Sequence, residues 1–145
     1  MGHDWVEYAG RSVVFRDAKL NLVRCLMHRV ANDPAANIPD HFRPQLVSRL
    51  NEFYFICNGV FTEFKLDDLL HSQQDVKDFL SFLNECASFV VGHGPVLEQA
   101  FLNDLVGESD WWGVDLDADY PLRGLGRLAN LVSGAELGVA GGAPD

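Results

Sequence analysis

From Asp78 to Leu122 the chain contains no lysine and no arginine, yet it carries Asp78, Glu85, Glu98, Asp104, Glu108, Asp110, Asp115, Asp117 and Asp119. A surface of one sign draws in basic partners and repels phosphate backbones, which disfavours nucleic acid binding through counterion release. Long apolar runs are missing too: none approaches the roughly 20 residues that cross a bilayer, so no membrane segment is expected. Met1-Gly2-His3-Asp4-Trp5 has no basic stretch leading into an apolar core and does not read as a secretory signal. Cysteine is scarce. Cys25, Cys57 and Cys86 are odd in number, far apart and set in apolar segments, which predicts reduced core thiols in a cytoplasmic protein rather than a disulfide framework.

Catalytic and ligand-binding signatures are also lacking. His3, His28, His41, His71 and His93 fall in no zinc-ligand spacing, and no serine sits in a GxSxG elbow. Gly92-His-Gly94 and Gly124-Leu-Gly126 lack the third glycine or the Lys-Ser/Thr of a phosphate loop. The alternating carboxylates of Asp115-Leu-Asp-Ala-Asp-Tyr open like a calcium loop, but Tyr120 and Gly126 stand where an EF-hand needs glycine and a bidentate glutamate. No cofactor, metal or catalytic residue is therefore expected, and the chain is not read as an enzyme. Gly124 and Gly126 are instead expected to let another helix come close to the last one.

What is present is a foldable composition. The 145 residues are 48% hydrophobic, with ten Phe and three Trp, which argues against disorder. A chain of that length buries about 68 to 70% of its unfolded surface. The charge is unevenly spread: residues 1–49 net +2, residues 50–122 net −12 and residues 123–145 net zero, within a total of −10.

Hydrophobic spacing is helical in most of the chain. Leu22, Leu26 and Val30 mark a helix from about Asp17 to Ala31; Leu46, Leu50, Phe53 and Cys57 mark another that starts near Pro44 and stops at Asn58-Gly59. Val60 to Leu70 reads as irregular with a helical end. Ser72 caps a third helix, with Val76, Phe79, Leu80, Leu83, Ala87, Val90 and Val91 on its buried face and Gly92 as its end. Pro95 fits the first turn of a helix to about Val106, with Val96, Leu97, Ala100 and Phe101 inward, and Pro121 that of a last helix ending at Gly134. Strand signals are weak, at Ser12 to Phe15 and Val60 to Phe64. The expected fold is mainly α: one domain over residues 1–137, a bundle of about five helices with a long acidic loop before the last, then a Gly/Ala-rich tail at 138–145.

That loop, Glu108 to Tyr120, holds the charge that helix faces leave unexplained. Asp78, Glu85, Glu98 and Asp104 fit the wet faces of two helices. Adjacent rings cannot share one core pocket, so one of Trp111 and Trp112 is expected to pack while the other stays partly exposed among Glu108, Asp110 and Asp115. Aromatic anchors ringed by charge suit a protein interface. Two blander readings stay open: acids that serve solubility alone, and rings that only pin the loop.

The cation-free stretch and the Trp111-Trp112-Gly113-Val114-Asp115-Leu116-Asp117 segment give the chain a character that resembles the immunity proteins of bacterial toxin systems, including those of contact-dependent growth inhibition. The resemblance implies a protein that neutralises a cognate basic toxin, often a nuclease, by covering it with carboxylates. Glu108, Asp110, Asp115, Asp117 and Asp119 would then stand in for phosphates, and Trp111 or Trp112 would anchor the contact. The competing expectation is a small acidic secretion chaperone or adaptor for one effector, and a third is a helical enzyme with an unrecognised carboxylate site. The oligomeric state is left open.

Overall fold

The computed structural model describes residues 3–56, 64–107 and 112–134. Within them the chain runs β1 (His3–Tyr8), β2 (Arg11–Arg16), α1 (Asp17–Ala31), α2 (Arg43–Ile56), β3 (Phe64–Lys65), a 3-10 turn (Leu66–Asp68), α3 (Gln73–Val91), β4 (Val96–Leu97), α4 (Gln99–Val106), β5 (Leu116–Asp117) and α5 (Asp119–Ser133). The protein is mainly α, with two small sheets added to the helices. No helix of the described residues is long and apolar enough to cross a membrane.

Helix α1 is the centre of the packing and touches each of the other four helices. It needs more than one apolar stripe for that, and Leu20, Leu22, Val23, Cys25, Leu26, Met27, Val30 and Ala31 are all buried around it. On one side α5 comes close enough that a Cβ at Gly124 would sit 2.8 Å from Val23 Cγ2, so only glycine fits without a shift. Gly126 meets nothing within 4 Å, so the expected close approach belongs to Gly124 alone. Burial pushes the Cys86 thiol well up and the Cys25 thiol up, the latter opposed by Arg24, so both stay protonated and inert.

The ends of the helices follow the expected chemistry in most places. Ser72 Oγ accepts from Asp75 N at 3.1 Å, and Asp75 Oδ2 accepts from His71 N at 2.9 Å, which satisfies two donors at the start of α3. Gly107 and Gly134 close α4 and α5 with φ of 75° and 84°. Arg43, the first residue of α2, turns back and donates to Ala31 O, Asp33 O and Ala36 O at 3.0, 2.9 and 2.6 Å. Ala31 is the last residue of α1 and the other two carbonyls follow it, at the end where cationic donors complement the helix dipole.

An N-terminal hairpin is the main addition to the expected fold. β1 and β2 pair antiparallel with Val6 opposite Val13, and β3 joins β1 in parallel with Phe64 opposite Val6. Val6, Val13 and Phe15 are fully buried on the inner face. The turn between the strands is Ala9-Gly10, with φ of 51° and 79°, and the Asp67 carboxylate receives Ala9 N–H at 3.1 and 3.2 Å. Such a turn usually announces itself by Asn-Gly or Asp-Gly, and alanine hides it. On the other edge, Arg127 of α5 donates to Val14 O at 2.8 Å and lies 5.2 Å from the Phe15 ring centroid.

Other expectations shift. Val60 to Leu70 proves to be a short strand and a 3-10 turn from Phe64 on; Cys57, Asn58-Gly59 and residues 60–63 lie outside the described residues, as does the tail at 138–145. Pro95 does not begin a helix: its carbonyl accepts from Ala118 N at 2.9 Å, β4 follows, and α4 starts only at Gln99. α5 begins at Asp119, with Pro121 in its first turn, where no intrahelical donor is needed. Val91, Val96 and Ala100, expected inward, are exposed, while Phe82, Cys86 and Leu102 are buried.

Candidate protein interface

The acidic segment is shorter as a loop than its sequence suggests, because part of it is strand. β4 and β5 form an antiparallel ribbon with Val96 opposite Asp117 and Leu97 opposite Leu116. Cross-strand partners share a face. Leu97 is buried and Leu116 half-buried on the inner face, so Val96 and Asp117 project together from the outer one. Alternation along each strand places Glu98 and Asp115, both exposed, on that outer face as well.

Two clasps from α4 fix the strand that carries the acids. Asn103 pairs with the backbone of Trp112 in both directions, its Nδ2 donating to Trp112 O at 3.0 Å and its Oδ1 accepting from Trp112 N at 2.6 Å. Asp115 Oδ1 accepts from Gln99 N at 3.0 Å, filling one of the open donors at the start of α4. Asp117 Oδ1 likewise receives Asp119 N at 2.9 Å at the start of α5, where a carboxylate also suits the dipole.

Trp112 is turned inward. It is half-buried against the core, lies edge-on to Tyr120 at 6.2 Å, and its indole N–H is buried with no acceptor among the described residues. Beneath Tyr120 lies Lys19 of α1, fully buried, with Nζ 4.3 Å from the ring centroid. A cation over an aromatic face is favourable when desolvated, and the lysine stem packs below Gly124. The segment Trp112 to Tyr120 is thus held down on a buried cation, and Trp112 serves as part of that seat.

Of the expected partner-binding residues, Asp115 and Asp117 come together on the ribbon. Asp119 stands at the start of α5, where its Oδ2 pairs with Arg123 Nη1 at 2.9 Å. Glu108, Asp110 and Trp111 lie outside the described residues. Among the described residues no lysine or arginine lies within ion-pairing distance of Glu98, Asp115 or Asp117, whereas Asp104 is paired with Arg29 at 3.1 Å. Glu98 therefore belongs with the ribbon and not with a helix face. Asp78 moves the other way: it is 5% exposed inside α3, accepting from His41 Nε2 at 2.7 Å and from Gln74 Nε2 at 2.9 Å.

Several residues at this end escaped the sequence reading. Val91, Val96 and Val114 are 63%, 51% and 60% exposed, and they are three of the four large hydrophobics in the open among the described residues. The turn from Gly92 to Pro95 joins α3 to the ribbon, and His93 pins it by stacking on Phe101 at 4.1 Å and donating from Nδ1 to Phe89 O at 2.9 Å. The missed signal was the period of two in Asp115-Leu116-Asp117, the mark of a half-buried strand. Among the described residues no group of three or more His, Cys, Asp or Glu is placed to hold a metal ion.

The fold and the ribbon define a mainly α protein with an acidic, partly apolar end. No family model, curated protein or solved structure matches this chain.

Proposed function

We propose that this chain is an immunity-type inhibitor that binds a basic protein toxin and neutralises it through the outer face of the β4–β5 ribbon. The observation that supports this reading is the set of exposed carboxylates there, Glu98, Asp115 and Asp117, with no cation beside them among the described residues. Carboxylates held at fixed spacing present to a basic cleft much what a phosphate backbone presents, so a nuclease is the toxin class they suit. Preorganisation by Asn103 and by the helix-start bonds lowers the ordering cost on binding.

The test asks whether the gene immediately upstream of this chain's ends in a basic domain, and uses that domain as the probe. Its association with the protein should slow at least tenfold between about 50 and 500 mM salt, since steering by exposed charge is screened. A salt-independent rate sinks the electrostatic reading. Asp115→Lys with Asp117→Lys should abolish protection of cells that make the toxin, and protection at the ordinary level by this double variant removes the ribbon from the interface.

A further inference from the structure

The acids at this end of the molecule differ in what their oxygens meet. Asp115 and Asp117 each give one oxygen to a backbone N–H, whereas Asp119 gives Oδ2 to a cation, Arg123 Nη1, at 2.9 Å and one turn further along α5. The acids are also linked to one another. Asp117 Oδ1 receives Asp119 N at 2.9 Å, which sets the Arg123 guanidinium within about 10 Å of the Asp117 carboxylate, about one Debye length at 0.1 M salt. The side chains of Arg123 and Asp119 are 54% and 61% exposed, and an exposed pair at i,i+4 steadies a helix only weakly. Its larger effect is on the field at the ribbon. The cation before Arg123 in the sequence is Lys77, near the other end of α3, and the cation after it, Arg127, is turned to Val14 O.

From this contact we infer that Arg123 is an intramolecular competitor for the cations of a basic partner. It neutralises Asp119 and so withdraws that carboxylate from the surface that draws the partner in. It also opposes the charge of Asp117 at short range. The steering acids are then Glu98, Asp115 and Asp117, and Arg123 sets how strongly they act on the rate of encounter. The inference rests on the toxin-binding reading and adds a residue of opposite sign that tempers it.

The test measures association and dissociation rates with the upstream-encoded basic domain as probe, at about 50 mM salt. One unit charge removed about 10 Å from another changes their attraction in water by about a factor of two in rate. Arg123→Gln should therefore associate about two- to threefold faster than the parent protein, with dissociation unchanged and the difference gone at about 500 mM salt. Arg123→Lys keeps the charge and should bind at the parent rate. Lys77→Gln removes the same net charge about 20 Å of helix before Val91 and should change association by less than about 1.5-fold. Asp119→Asn with Arg123→Gln removes the neutral pair as a unit and should return both rates to those of the parent protein. Since both side chains are exposed, these variants should melt like the parent protein. Association of Arg123→Gln no faster than that of Lys77→Gln overturns the inference and leaves the toxin-binding reading standing. Faster dissociation of the double variant makes Asp119 a direct contact and overturns it as well. No binding by the parent protein takes both down.

Discussion

Charge is used in opposite ways around α1 and on the ribbon. Around α1 the cations are structural: Arg43 spans three carbonyls, Arg127 holds the edge of β2, and Lys19 is fully buried under Tyr120. On the ribbon Asp115 and Asp117 also meet backbone, but each does so with a single oxygen and stays exposed. The difference follows from side-chain chemistry. A guanidinium has several donors in a fixed fork and can satisfy several carbonyls at once, whereas a carboxylate that caps a helix still has acceptor capacity in water. Arg43, Arg127 and Lys19 are thus absorbed into the fold, whereas Asp115 and Asp117 keep acceptor capacity at the surface.

If that contrast is right, the largest loss of stability should come from the α1 side. Arg43→Met leaves three carbonyls without their donor, two of these bonds being partly buried, and should lower the unfolding free energy by about 2 to 3 kcal/mol in urea titration. A loss below about 0.5 kcal/mol would erase the distinction. Gly124→Ala should come next, at about 1 to 2 kcal/mol in the same titration, because strain against Val23 outweighs the gain of about 1 kcal/mol in helix propensity. On the ribbon Asp115→Ala should cost about 1 kcal/mol by opening the Gln99 N–H, and Asp115→Asn only a few tenths, since the amide oxygen can still accept. Equal losses would mean that charge, and not the bond, matters there. The smallest effect is a gain: Gly126→Ala, in open space on the same helix as Gly124, should raise stability by about 0.5 to 1 kcal/mol, read as a higher melting temperature.

The helices were legible wherever one apolar period and one local end signal coincided. Asp17 to Ala31 and the Ser72 cap are recovered residue for residue, because both depend on neighbours in sequence. The hairpin was not legible, since its turn uses Ala9 and its latch, Asp67, is far along the chain. The ribbon was missed for a related reason: two-residue strands give too short an alternation to outweigh Pro95 as a helix start. Sequence placed Asp115 and Asp117 at the surface, where they are exposed. It could not reveal their helix-start bonds, the exposure of Val96 and Val114 or the burial of Lys19, all of which are decided by contacts between distant segments.

The latch on the hairpin bears on how the chain comes off the ribosome. Ala9 holds a left-handed conformation that costs an alanine about 1 to 2 kcal/mol, and the carboxylate that receives its N–H is 58 residues further on. The parallel bridge from Val6 to Phe64 spans nearly the same distance. During synthesis β1, β2 and α1 can therefore emerge and meet, but the turn at Ala9 is held by the β1–β2 ladder alone until Asp67 arrives. β1 and β2 are made well before the carboxylate that latches their turn, so a stalled or truncated product ending before residue 67 would carry an unlatched β1–β2 turn.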